Sequence, residues 1–200
     1  MLSTVEDRER SLYRDVWQGV REYGKMAPGA QYLPLFQDMS QADRADSVLD
    51  AGCGSGKGAL ALRAAGFRDV RLCDLTDAGL VEEARAFPFR SACLWRPLRP
   101  QLGYALGGCV DWVYCCDVME HIPTPFTMLT VFQLLEVARK GVFLSISLMP
   151  DSFGVWVGQP LHQTVQAFAQ WRDQLQSIGT VRECRDLLHS GVYLVEPRAC

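Results

Sequence analysis

The sequence predicts an α/β fold: a doubly wound, mostly parallel sheet of about seven strands, with helices on both faces and the last two strands antiparallel. Three observations predict it. Strand-like apolar runs alternate with helix-like segments from Ser47 to Met149, the order that builds βαβ units. A glycine cluster, Gly52 to Gly58, separates the first of those strands from the helix that follows, where open α/β sheets bind their ligands. The last two strands are joined only by the turn His189-Ser190-Gly191, too short for a parallel crossover.

The elements follow in order. Residues 3–24 read as a helix: Ser3 and Glu6 have capping-box spacing, and Leu12, Val16, Val20 and Tyr23 recur at helical intervals beside Trp17. Gly24 and Pro28-Gly29 stop it, and a loop carries Tyr32, Leu33, Leu35 and Phe36. Ser47–Asp50 is a short strand. Lys57–Ala65 is a helix closed by Gly66. Asp69–Asp74 is the second strand, Thr76 caps a helix over Asp77–Ala86, and Ser91–Trp95 is the third strand. The prolines and glycines of residues 96–109 predict a loop. Cys109–Cys116 is a buried strand, Thr124–Arg139 a helix ended by Gly141, and Gly141–Met149 another buried strand. After a loop over 150–160 bearing Phe153 and Trp156, Pro160 suits a first helical position. Leu161, Val165, Phe168, Trp171, Leu175 and Ile178 mark one apolar face. Val181–Leu188 and Gly191–Pro197 close the chain.

Composition bounds the function classes. Of 200 residues, 48% are apolar and 22% charged, enough for a real core, and the formal net charge is -3. No Lys/Arg run exceeds Arg139-Lys140, so a nucleic acid is not the expected partner. No window resembles a secretory leader or a bilayer span, and the expected location is the cytoplasm. None of the eight cysteines forms a C-x-x-C pair, and most lie in apolar runs. They read as reduced, small hydrophobes rather than a zinc or disulfide framework, and no metal site is expected.

Three chemistries compete for the glycine cluster. A phosphate loop needs G-x-x-x-x-G-K-[ST], but Lys57 is followed by Gly58 and position 51 is alanine. A dinucleotide loop needs G-x-G-x-x-G/A, which Gly54, Gly56 and Ala59 satisfy. That reading leaves Asp50 unexplained, since a pyrophosphate does not welcome a carboxylate there. A cofactor with a cationic sulfonium and an α-amino group does.

Val48-Leu49-Asp50-Ala51-Gly52-Cys53-Gly54-Ser55-Gly56 resembles the first motif of the class I S-adenosylmethionine-dependent methyltransferases, of the type (V/L)-L-D-x-G-C-G-x-G. Asp111–Pro123 (DWVYCCDVMEHIP) resembles their fourth-strand motif with its V-x-E-H-(I/L) turn. The resemblance implies a Rossmann-like fold and S-adenosyl-L-methionine as cofactor. Asp50, Ala51, Gly52, Cys53 and Gly54 would hold its amino-acid end. Asp74, followed by Leu75, would take the ribose hydroxyls, and Cys116 and Asp117 would meet the methionine end. Family members often carry an acid near the third strand's tip for the adenine amino group. Here the segment Cys93-Leu94-Trp95 has none, so the backbone groups of Cys93 and Leu94, with Trp95 for apolar contact, would serve.

The resemblance also divides the chain, read as one domain over 1–200. Residues 1–46 would form a helical cap over the substrate, 47–149 the cofactor-binding core, and 150–200 the substrate-side half of the sheet. For catalysis two histidines come forward, His121 after the fourth strand and His162 after the fifth. Each is either a general base or, respectively, a packed residue and an exposed first-turn residue. Tyr23, Tyr32 and Trp156 are candidates for the acceptor pocket or for simple packing. The fourth-strand motif lacks the Asn/Asp-Pro-Pro-Tyr pattern, and no Pro-Cys nucleophile exists. The expected acceptor is therefore a small molecule, methylated on oxygen or nitrogen. The alternatives are a cofactor-binding sensor or partner subunit without turnover, and a nicotinamide-dependent oxidoreductase.

Overall fold

The computed structural model describes residues 2–103 and 106–198. The side chains of Leu2 and Ser3 and the residue Cys200 lie outside that description, so the proposed Ser3 cap does too. Seven strands form one sheet in the order β3-β2-β1-β4-β5-β7-β6. They are β1 (Ser47–Ala51), β2 (Asp69–Asp74), β3 (Phe89–Ser91), β4 (Val110–Cys116), β5 (Ala138–Ser147), β6 (Thr180–Asp186) and β7 (Ser190–Glu196). The first five run parallel. β7 pairs antiparallel with both β5 and β6.

The central strands are apolar on both faces because helices cover both faces. Leu49, Ala51, Val113 and Cys115 face one core, with α5 (Leu98–Leu102), α6 (Thr127–Val137) and α7 (Phe168–Ile178). Val48, Trp112, Tyr114 and Phe143 face the other, with α3 (Leu33–Ser40) and α4 (Lys57–Ala64). At the centre of that second core, fully buried Phe36 touches the rings of Phe67, Trp112, Tyr114 and Phe143 at centroid distances of 5.1–6.1 Å. Among the described residues no helix is long and apolar enough to cross a membrane.

Several boundaries differ from the sequence reading. The first helix, α1 (Leu2–Gly19), stops at Gly19, and Tyr23–Lys25 form a separate 3-10 turn. The expected loop after it is two short helices, α2 (Pro28–Gln31) and α3, each with its proline in the first turn. Proline lacks an N–H that a first turn does not use, so Pro28 and Pro34 start helices rather than end them. The Thr76 side chain accepts from the Ala78 amide, but helical backbone is confined to a 3-10 stretch at Glu82–Ala86. The third strand lies at Phe89–Ser91, leaving Leu94 and Trp95 in a buried turn, and a short helix, α5, interrupts the loop over 96–109.

Further along, α6 ends at Val137 and β5 already begins at Ala138. Gly141 is therefore a strand residue, bare because a Cβ there would press on Trp112 and the Val195 carbonyl. Pro160 opens no helix. Residues 161–167 are irregular, and α7 starts at Phe168. Val165, which seemed to extend the apolar face, is 41% exposed.

Candidate active site at the carboxyl edge of the sheet

Strand order reverses between β1 and β4, and their register sets Asp50 beside Leu72 of β2 and Tyr114 of β4. The carboxyl ends of all three strands therefore meet at a topological switch point, where a crevice forms. The principal cavity lies there.

The glycine loop turns through left-handed backbone at Gly52 (φ +72°) and Gly54 (φ +51°). A Cβ on Gly52 would sit 2.5 Å from a Val118 methyl carbon, so only glycine fits. Four amides of this loop are engaged. Those of Gly52 and Cys53 donate to the Cys73 carbonyl, that of Gly54 to Oδ2 of Asp74 at 2.9 Å, and that of Gly56 to the Cys53 carbonyl. Those four are not free to cradle a phosphate.

Asp50 is 4% exposed, and its Oδ2 has no hydrogen-bond partner. Burial, with Asp74 beside it, pushes its carboxyl up to about 7, against the Ala59 amide. Burial also raises Asp74, opposed by the amides of Gly54, Thr76 and Leu75. Next to Asp74, Leu75, Leu94 and Trp95 line the cavity. Trp95 stacks on Phe126 with its indole N–H buried and unpartnered.

At the tip of β4, Cys116 and Asp117 line the cavity. Asp117 adopts φ +52°, a conformation costly for a non-glycine residue and common at functional sites. It is held by its amide donating to the Ser145 carbonyl and by the Ser145 hydroxyl donating to its Oδ1, each at 2.9 Å. Burial raises its carboxyl, while the hydroxyl and His162 draw it back.

The next turn carries Glu120 and His121. Glu120 is fully buried. Its Oε1 accepts the Ser147 amide at 3.0 Å, and its Oε2 has no partner. Nδ1 of His121 lies 3.1 Å from the Leu161 carbonyl and 2.8 Å from the Tyr13 hydroxyl. A protonated Nδ1 donates to the carbonyl, and a bare one accepts from the Tyr13 hydroxyl. Burial, with His162 beside it, lowers this imidazole to about 3, so it is neutral near pH 7. His162 packs edge-on against it, centroids 4.7 Å apart, and its own Nδ1 lies 2.6 Å from the Met149 carbonyl. The irregular segment bearing His162 is held by Asp151, which accepts the amides of Gly154, Leu161 and His162. It is also stitched to the His121 turn, where Thr164 donates its amide to the Glu120 carbonyl and its hydroxyl to the Ile122 carbonyl.

Helix α1 closes the cavity from above. Glu9, Tyr13 and Trp17, spaced four apart on one face, all line it. Glu6 pairs with Arg10 and Arg96, Arg10 donates to the Leu75 carbonyl, and Gln163 donates to Glu9 at 2.9 Å. Tyr23 touches Trp17 and Phe153 edge-on.

Of the residues singled out in the sequence, Asp50, Gly52, Cys53, Gly54, Asp74, Leu75, Leu94, Trp95, Cys116, Asp117, His121, His162 and Tyr23 meet at this cavity. Four do not line it. Ala51 is buried in the core under the loop. Cys93 has its amide and carbonyl both engaged by the Gln101 side chain, so its backbone has nothing to offer an adenine. Tyr32 is buried, with its hydroxyl donating to Ser190. Trp156 is 67% exposed, and Phe153 takes the place expected for it. Sequence reasoning passed over Glu9, Tyr13 and Asp151. For the first two the i, i+4, i+8 spacing with Trp17 was the available cue, whereas nothing local marks Asp151.

Electrostatics separate the ligand classes. Glu9, Asp50, Asp74, Asp117 and Asp151 line the cavity, against one lysine, Lys57. That lysine is turned to the Gly24 carbonyl at 2.7 Å. The site favours a cationic ligand over a polyanion.

No family model and no curated protein matches the chain. Solved structures match its fold. Magnesium protoporphyrin IX methyltransferase from Synechocystis PCC 6803, with bound S-adenosylmethionine, aligns at TM-score 0.65 and 20% identity over 94% of this chain and 96% of that one. The PH0226 protein from Pyrococcus horikoshii OT3 aligns at TM-score 0.67 and 14% identity over 90% and 100% of the two chains. The N-terminal domain of EvdMO1 with bound S-adenosylhomocysteine aligns at 0.57 and 17% over 88% and 82%. With its strand order and its antiparallel last pair, the chain has the Rossmann-like fold of the class I S-adenosylmethionine-dependent methyltransferases.

Proposed function

We propose that the protein is an S-adenosylmethionine-dependent methyltransferase acting on a small-molecule acceptor, at oxygen or nitrogen. The observation that carries this reading is the acidic cavity beside a glycine loop in which the amides of Gly52, Cys53, Gly54 and Gly56 are already engaged. A sulfonium and an ammonium suit that surface, and the orphaned Oδ2 of Asp50 suits an ammonium donor. A dinucleotide's pyrophosphate suits neither feature, which weighs against an oxidoreductase.

When bound, S-adenosylmethionine supplies a methyl group activated for in-line displacement. The chain's own part is to bind, orient and exclude water. Asp74 would accept the ribose hydroxyls through the oxygen capacity its backbone contacts leave free. The Leu75, Leu94 and Trp95 side chains would flank the base with apolar contact. Asp117, His121 and His162 would surround the acceptor beneath Tyr13 and Tyr23. The seven described cysteines are free thiols, which fits a reducing compartment such as the cytoplasm.

The test is a screen for S-adenosylhomocysteine release over a panel of hydroxyl- and amine-bearing metabolites. Release that depends on an acceptor supports the reading. Tight cofactor binding with no release over the whole panel favours the sensor or partner-subunit role instead.

A further inference from the structure

Three metal-ligand-type groups from separate parts of the chain meet on the acceptor side of the cavity. One carboxylate oxygen of Glu120 and one ring nitrogen each of His121 and His162 lie within 4.8 Å of one another. We propose that Glu120, His121 and His162 bind a divalent first-row transition-metal ion.

Four observations carry this. Both histidines place Nδ1 against a backbone carbonyl, Leu161 for His121 and Met149 for His162. A carbonyl beside Nδ1 is the arrangement found in metal-ligating imidazoles, with the Tyr13 hydroxyl as a second partner at His121. The Glu120 Oε2 is buried without a partner, and no Lys or Arg among the described residues pairs with this carboxylate. A buried carboxylate that keeps an orphan oxygen wants a cation. Two imidazoles and one carboxylate form a donor set suited to zinc, iron, cobalt or manganese rather than to calcium or magnesium. Finally, Thr164, whose amide and hydroxyl bond the Glu120–Ile122 turn, fastens the His162 segment to the other two ligands.

Metal–nitrogen bonds of about 2.1 Å require the three groups to close in by somewhat under an ångström each, a side-chain movement. His121 and His162 line the cavity while Glu120 lies buried behind them. The ion's remaining positions would therefore face the pocket. An acceptor bearing a hydroxyl oxygen able to enter its coordination shell is the class that fits, a point that rests on the methyltransferase reading. The binding of the ion does not.

The test is titration of the chelator-treated full chain with Co²⁺, followed by its visible ligand-field absorption, beside calorimetry with S-adenosylhomocysteine on the same samples. One saturable equivalent of Co²⁺ is expected. His162→Ala and Glu120→Gln should each weaken it by at least about tenfold without changing the far-UV circular dichroism. His189→Ala, which changes only an exposed side chain in the turn between β6 and β7, should leave it unchanged. Absence of saturable Co²⁺ binding by the unmodified chain overturns the site. So does equal affinity in folded His162→Ala, or an equal loss in His189→Ala. Co²⁺ binding without S-adenosylhomocysteine binding upholds the metal site and removes the methyltransferase reading, and the converse pair of results does the opposite.

Discussion

The indole of Trp17 rests on the bare Cα of Gly54: a Cβ built at position 54 would lie 2.7 Å from Cζ2 of Trp17. Helix α1 and the glycine loop are thus in van der Waals contact, and the glycine serves both the turn and the closure. Gly54→Val adds a branched side chain to backbone at φ +51° and drives it into that indole. The expected result is loss of S-adenosylmethionine binding by at least about 100-fold, equivalent to about 2.7 kcal/mol, measured by calorimetry. Affinity within a few-fold of the unmodified chain would remove this loop from the cofactor site.

Asp50 gives a pH signature with a definite sign. Its folded-state pKa, about 7, lies above the ordinary 3.8. Below pH 4 the carboxyl is neutral folded or unfolded, with no effect on stability. As pH rises from 4 to 7 the unfolded chain ionises while the folded one resists, so the cofactor-free protein loses stability, and above 7 the loss is complete. Asp50→Asn has no such cost. The stability of the variant minus that of the unmodified chain should therefore grow between pH 4 and pH 8, by on the order of 4 kcal/mol, in urea denaturation. A difference independent of pH would contradict the assigned environment of Asp50.

The Glu6 carboxylate joins Arg10 of α1 to Arg96 beyond β3. The Glu6 side chain is 17% exposed and its partners 26% and 36%, so Glu6→Gln should cost about 1–3 kcal/mol of global stability. A further effect falls on α1. Amide exchange over residues 2–19 should quicken, and cofactor dissociation with it, while the sheet exchanges as before. Unchanged exchange in α1 would show that the helix is held by Trp17 and Tyr13 alone.

Phe36 is fully buried among four aromatic rings. Phe36→Ala removes a large side chain from a packed core and should cost about 3–5 kcal/mol by chemical denaturation. A cost below about 1 kcal/mol would mean that α3 is not seated on this face of the sheet.

The legible parts of the fold were those in which one physical cause acts alone. β4 lies within one residue of the reading because burial on both faces leaves a nearly unbroken apolar run, and β2 runs from Asp69 to Asp74 as read, where buried Val70 and Leu72 alternate with partly exposed Asp69 and Arg71. The glycine loop at the switch point was legible because Asp50 beside Gly52 and Gly54 is a local pattern. Elsewhere one residue type serves two causes. Pro28 and Pro34 open helices, whereas Pro160 precedes an irregular strap, and only tertiary contacts tell them apart. Leu161 and Val165 mimic a helical face, yet the backbone of residues 161–164 is spent on Asp151 and on the Glu120–Ile122 turn. The meeting of Glu120 and His121 with His162 was illegible for the same reason, since the crossing of that strap exists only in three dimensions.

The cavity is acidic, and the amides of Gly52, Cys53, Gly54 and Gly56 in its glycine loop are already engaged. Calorimetry of the full chain with S-adenosylmethionine and, separately, with NAD at neutral pH tests the cofactor reading most directly. Saturable one-to-one binding of S-adenosylmethionine, weakened at least about tenfold (about 1.4 kcal/mol) in Asp50→Asn, and no heat from NAD is the predicted result. Saturable NAD binding with none of S-adenosylmethionine would contradict it.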